Sequence, residues 1–283
     1  MDGQEGSKME KKRVVIKIGS SSLQIEGSIA MNYHKIEALV REIVDLKNQG
    51  VEVCLVSSGA IAAGRNVMGM KTRPEKMAEK QALAAIGQAK LMMTYQRMFK
   101  EYDATAAQVL MTKNTILDDV SRKNAQNTFE ELFRMGAIPV VNANDTISTY
   151  EIQFGDNDTL SAMVASLTGA DLLILLSDID GLYTDDPRSN PNARLVRTVL
   201  TLDEELYMMA KESTGSDVGT GGMATKLNAA KIATLSGADM IIASGKDVGI
   251  LHDIFLDKYE GTLFMARKDE DFYIQDYLRE ENE

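Results

Sequence analysis

The sequence predicts an α/β fold: a three-layer α/β/α sandwich around a mostly parallel central sheet. Two observations carry that prediction. Short, wholly apolar segments such as Leu172–Leu176 alternate with long amphipathic ones over most of the 283 residues, as strands covered by helices on both faces do. Turns rich in glycine, serine and aspartate follow several of the apolar segments, at the strand ends where parallel sheets bind ligands.

The elements follow in order. Val14–Ile18 reads as a strand, and a helix runs from about Asn32 to Asn48 before Gly50 stops it. Val51–Val56 is the second strand, leading through Ser57-Ser58-Gly59 into a short helix over Ala60–Asn66. Glu75–Glu101 is a long helix starting after Pro74, with Ala82, Ala85, Ile86 and Ala89 as its packing face. Ala106–Met111 is a strand, Asp119–Met135 a helix and Ile138–Asn142 a strand. Ile147–Phe154 reads as a hairpin arm outside the sheet. Ala162–Leu167 is helical, Leu172–Leu176 a strand, Ala224–Leu235 a helix and Met240–Ala243 a strand.

No repeat or long linker divides the chain, so one domain with two lobes on a shared sheet is expected. Residues 1–13 are read as a flexible extension and residues 14–266 as the domain. Residues 267–283, rich in charge, are read as an exposed tail.

Composition excludes several classes. Hydrophobic residues make up 44% and charged residues 26%, as in a globular protein. A net charge of −11 argues against a broad nucleic-acid surface. Two histidines, His34 and His252, and one cysteine give no zinc site. That cysteine, Cys54, sits in the apolar run Val51–Val56 and reads as a buried, inert thiol. No stretch of about 18 apolar residues exists to span a membrane, and the polar residues from Met1 to Arg13 do not form a secretory signal, so a cytoplasmic location is expected.

The chemistry lies in the turns. Lys17 opens Lys17-Ile18-Gly19-Ser20-Ser21, and Lys226 closes Gly219-Thr220-Gly221-Gly222-Met223-Ala224-Thr225-Lys226. Phosphoryl transfer asks a protein for backbone N–H groups and cations around the moving charge, which both segments can supply. Ser57-Ser58-Gly59-Ala60 begins a helix, whose free N–H groups and dipole suit a phosphate or carboxylate. Asn142-Ala143-Asn144-Asp145 and Gly155-Asp156-Asn157-Asp158 each crowd polar residues beyond what one helix cap needs. From them, Asp145 and Asn157 can take a substrate amino group, and Asp158 can order lysines or a metal. Ser177-Asp178-Ile179-Asp180-Gly181-Leu182-Tyr183-Thr184 ends an apolar strand, where aspartates can meet ribose hydroxyls or a hydrated magnesium. Neither G-x-x-x-x-G-K-[ST] nor a G-x-G-x-x-G after the first strand is present, which excludes a P-loop enzyme and a dinucleotide-binding dehydrogenase by motif.

From about Val14 to Phe264 these segments, with Ser57–Gly64 and Asp186-Pro187-Arg188-Ser189-Asn190-Pro191, closely resemble the amino acid kinase family. Within it they resemble the branch that phosphorylates the γ-carboxylate of L-glutamate toward proline. The resemblance implies Mg-ATP and L-glutamate as substrates, with Mg²⁺ bridging the phosphates and no residue assigned to the metal directly. It gives catalytic roles to Lys17, Asp158 and Lys226, and glutamate binding to Ser58, Asp145 and Asn157. ATP binding falls to Lys17, Gly19, Ser177, Asp178, Thr220, Gly221, Gly222, Met223, Ala224, Thr225 and Lys226, with Gly59 adding a backbone N–H. A homo-oligomer, dimer or tetramer, and feedback inhibition by proline are also implied. Two departures stand out: Ala143 replaces a glutamate common in the family, and too little chain follows Phe264 for the C-terminal RNA-binding-like PUA domain of many members. The rival readings are a kinase of the same fold acting on carbamate, aspartate, N-acetylglutamate or UMP, and a catalytically inert amino-acid sensor. Ser57–Gly64 and Asn142–Asp158 argue against the first, and the combined presence of Lys17, Asp158 and Lys226 argues against the second.

Overall fold

A computed structural model describes residues 12–148, 157–187, 189–204, 206–207 and 222–280. Its single eight-stranded sheet has the order β3-β4-β2-β1-β5-β7-β8-β6. The strands are β1 (Arg13–Ile18), β2 (Glu52–Ser57), β3 (Ala106–Met111), β4 (Ile138–Ala143), β5 (Leu172–Ser177), β6 (Thr198–Val199), β7 (Asp239–Ser244) and β8 (Gly261–Phe264). Every pairing is parallel except β7 with β8.

Alternate residues of each central strand enter different cores. Val15, Cys54, Val56 and Val141 pack in one layer, with α6 (Asp119–Arg134), α7 (Asn157–Thr168) and α8 (Met223–Leu235). Val14, Ile16, Leu55 and Val140 pack in the other, with α2 (Tyr33–Asn48), α4 (Met77–Lys100) and α9 (Ile250–Phe255). Burial on both faces is why these strands read as unbroken apolar runs. The three-layer sandwich with a mostly parallel sheet is therefore present. Among the described residues, no helix is long and apolar enough to cross a membrane.

The short helices α1 (Ser20–Leu23), α3 (Ala60–Val67) and α5 (Lys113–Leu117) complete the strand ends. Helix α3 lies unusually close to α4. A Cβ on Gly64 would fall 2.0 Å from the Leu83 carbonyl oxygen, and one on Gly87 would fall 1.7 Å from that of Ala60.

Several boundaries differ from the sequence expectation. The buried face of α4 is Leu83, Ala84, Gly87, Gln88 and Leu91, while Ala82, Ala85, Ile86 and Ala89 face solvent. The register is set by the glycine contact with α3, which a search for apolar side chains does not see. Arg13 belongs to β1 rather than to the extension, fixed by Glu52 and Glu130 at 2.7 and 2.6 Å. The charged tail contains α10 (Ile274–Glu280), whose Ile274 and Leu278, one turn apart, are buried in the α6–α8 layer. Residues 1–11, the hairpin arm from residue 149 onward, Gly155, Asp156, Arg188 and 281–283 lie outside the described residues.

Candidate active site

Strand parity decides which residues can meet. Lys17 is two residues beyond Val15 on β1, so its side chain leaves the sheet on the α7/α8 side. Asp158, in the first turn of α7, and Lys226, in the first turn of α8, wait there. The Asp158 carboxylate lies between the two ammonium groups, with Oδ1 2.6 Å from Lys17 Nζ and Oδ2 3.0 Å from Lys226 Nζ. All three are buried, Asp158 to within 1% of complete exclusion from solvent. Burial pushes the Asp158 acid upward, but the two lysines outweigh it and hold the carboxyl at about 2. One carboxylate between two lysines leaves the trio net positive, as a cradle for phosphoryl oxygens requires.

Backbone groups surround this centre. Thr225 Oγ1 donates to the Gly222 carbonyl at 2.8 Å and lies 3.3 Å from Asp158 Oδ2, tying the start of α8 to the carboxylate. The N–H groups of Met223, Ala224 and Thr225 belong to that first turn and have no partner within the helix. Gly19 lies beside Lys17, where a Cβ would come within 3.7 Å of Nζ. Gly59 adopts φ +104, a left-handed turn natural to glycine, and so starts α3 directly at the end of β2. The Ser58 N–H donates to the Ile18 carbonyl at 3.2 Å, joining the two turns.

Ser57 and Asn142 have the opposite parity and leave the sheet on the α4 side. Ser57 Oγ meets Tyr95 OH at 2.9 Å, and Asn142 Nδ2 donates to Gln88 Oε1 at 2.7 Å. Asn157 Nδ2 donates to Ser58 Oγ at 2.6 Å and reaches Asn142 Oδ1 at 3.4 Å. Ser58, Asn142 and Asn157 therefore form one connected polar floor. Asp145 lies half-buried in the turn after β4. Ser177 and Asp178 lie at the end of β5, the former buried and the latter exposed, with Ser177 Oγ donating to Asp178 Oδ1 at 3.1 Å.

An open cleft of about 740 Å³ adjoins Ser177 and Asp178 and carries Lys35, Arg65, Arg73 and Lys246 on its walls. Further along the same loop the residues are structural. The Leu182 N–H donates to Thr262 Oγ1 at 2.8 Å, and Asp185 holds Asn190 at 2.7 Å. Among the described residues no cluster of three acidic, histidine or cysteine side chains could hold a metal, and both Asp158 oxygens face lysines. Asp178, exposed at the end of β5, places a carboxylate on the wall of the adjoining cleft.

The structure thus brings together Lys17, Gly19, Asp158, Gly222 and Lys226 as one group, and Ser58, Asn142 and Asn157 as another. Thr220 and Gly221 lie outside the described residues. Gln88 and Tyr95 were not identified from the sequence. Their signal is faint: two polar residues seven positions apart on one buried helix face.

Comparison with known proteins extends these observations. Residues 12–244 match the amino acid kinase family. A glutamate 5-kinase of Clostridium acetobutylicum is 51% identical over 255 residues, covering 90% of this chain and 95% of that protein. A glutamate 5-kinase of Carboxydothermus hydrogenoformans is 51% identical over 257 residues, covering 91% of this chain and 68% of that protein. Among solved structures, carbamate kinase from Giardia lamblia bound to AMP-PNP superposes with a TM-score of 0.65 at 14% identity, over 92% of this chain and 99% of that one. UMP kinase from Ureaplasma parvum gives 0.60 at 16% identity, over 91% and 100%. At such identities these two structures speak to the fold alone.

Proposed function

This chain belongs to the amino acid kinase family, and on that premise we propose that it transfers the γ-phosphoryl group of ATP to the γ-carboxylate of L-glutamate. The product is L-glutamyl 5-phosphate, and the reaction opens proline biosynthesis. The observation that carries this is the Asp158 carboxylate buried between Lys17 and Lys226, in a chain half identical to glutamate 5-kinases over nine-tenths of its length.

The acceptor carboxylate is already ionised at neutral pH, so no general base is needed. One of its oxygens forms the new bond to the γ-phosphorus while the bond to the bridging oxygen of ADP breaks, and no proton moves. Catalysis then rests on alignment and charge. Lys17 meets the transferring phosphoryl group, Lys226 meets the ATP phosphates, and Asp158 holds both ammonium groups in place. The N–H groups of Gly19 and Gly59 and of the first turn of α8 donate to phosphate oxygens. Mg²⁺ carried on the nucleotide supplies further charge neutralisation. Ser177, Asp178 and the 220–225 segment take the nucleotide, and Ser58, Asp145 and Asn157 hold glutamate. The cations lining the adjoining cleft draw two anionic substrates toward an otherwise acidic protein.

Residues 14–266, together with Arg13 of β1 and the packed helix α10, form the kinase domain in this reading. Proline, with an α-carboxylate and an ammonium like those of glutamate, competes at the glutamate pocket. Assembly as a dimer or tetramer follows from the family resemblance, and light scattering measures it. The decisive assay offers Mg-ATP with glutamate, aspartate, N-acetylglutamate, carbamate and UMP in turn, trapping acyl phosphate with hydroxylamine. Glutamate-dependent hydroxamate is expected. Turnover of UMP or aspartate without glutamate turnover overturns the assignment.

A further inference from the structure

Gln88 lies on α4, buried beneath the polar floor and separate from the lysine centre. A carboxamide has a donor end and an acceptor end, so each amide in a chain fixes the orientation of the next. Gln88 Oε1 accepts from Asn142 Nδ2 at 2.7 Å. Asn142 Oδ1 is thereby turned the other way, accepting from the Ala143 N–H at 2.9 Å and from Asn157 Nδ2 at 3.4 Å. Asn157 Nδ2 also donates to Ser58 Oγ at 2.6 Å. The donor end of Asn157 is thus committed to the floor, which leaves its carbonyl oxygen as the end offered elsewhere. Ser58, already accepting from Asn157, retains its O–H for donation.

We propose that Gln88 is a positioning residue that sets the polarity of the amino-acid pocket through Asn142. Asn157 then presents an acceptor to the substrate ammonium, and Ser58 presents a donor to a substrate carboxylate. The inference rests on the glutamate reading above and adds to it a residue that touches no substrate. Reversing the Asn142 amide would set its NH₂ against the Ala143 N–H, leaving buried donors without acceptors. Ala143 therefore acts in the same sense as Gln88, so removing Gln88 loosens the chain rather than inverting it.

Gln88→Met, close in volume and without a strong acceptor, tests the proposal. The KM for glutamate is expected to rise about 10-fold, the low end for a weakened charge-assisted hydrogen bond. The kcat and the KM for ATP stay near wild type. The preference for glutamate over glutarate, which lacks the amino group, falls by a similar factor. Gln88→Glu keeps an acceptor toward Asn142 and restores both the KM and the preference. An unchanged glutamate KM and glutarate ratio in Gln88→Met overturns the proposal. So does a joint loss of glutamate and ATP affinity with a lowered Tm, the mark of a purely structural role. Gln88→Ala replaces the Met variant if that does not fold, with the same outcomes. The wild type in the same assay separates the two failures. Without wild-type glutamate turnover the functional reading falls and this inference with it, whereas normal turnover with an indifferent Gln88 removes this inference alone.

Discussion

The two faces of the sheet solve different problems at the same edge. On the α7/α8 face, Lys17, Asp158 and Lys226 form a buried charged centre. On the α4 face, Gln88 and Asn142 begin a chain of neutral groups that crosses the strand ends to Ser58 and to Asn157 at the start of α7. Charge acts over distance and tolerates a moving target, which suits a phosphoryl group in transit. Hydrogen-bond direction acts only at contact, which suits an amino acid that must be told from its analogues. Rate and selectivity should accordingly be separable by mutation, one cluster at a time.

The largest effect is expected from the charged face. Lys17→Ala should lower kcat by roughly 10²-fold or more, the scale of losing one preorganised electrostatic donor. Lys226→Ala should behave similarly with some loss of ATP affinity. A Lys17→Ala enzyme with near-normal kcat would reduce that lysine to a strand end and dissolve the contrast between the faces.

The amino-acid side should show itself in KM. Asp145→Ala is expected to raise the KM for glutamate about 10- to 150-fold, the cost of a lost charge-assisted hydrogen bond, with the KM for ATP nearly unchanged. If Asp145 serves only its own turn, the variant will melt at a lower temperature with an unaltered glutamate KM. Measuring both constants and the Tm sharpens the comparison or confines it to Ser58 and Asn157.

The smallest effect concerns pH. Asp158 is held at about 2 against an ordinary 3.8. A depressed acid contributes stability above its unfolded value, and that contribution is lost as pH falls from 3.8 through about 2. Above that window the carboxylate stays charged, so Asp158 should add no inflection to kcat near neutrality. Asp158→Asn, which strips the charge, should remove the acid-side stability loss. A wild-type inflection near neutrality that vanishes in Asp158→Asn would contradict the value.

Legibility in the sequence followed the same division. The central strands were plain because both their faces are apolar, and both lysines were plain because glycine turns flank them. The face of α4 is hard to read because its first buried turns join Leu83, Ala84 and Leu91 through Gly87 and Gln88, neither of which registers as hydrophobic. With that register unseen, the contact of Gln88 with Asn142 could not be anticipated. Helix α10 is hard to read because its apolar face, Ile274, Tyr277 and Leu278, spans only about one turn among charged residues.

Cys54, the single cysteine of the chain, lies wholly buried in β2, and burial pushes its thiol far above the ordinary range. A thiol reagent added to the native protein must therefore wait until the centre of the sheet opens. Its rate of modification, compared with that of a free thiol, measures the free energy of that opening without denaturant. The same shielding lets a cysteine installed on the surface take a spectroscopic label while the native one stays silent.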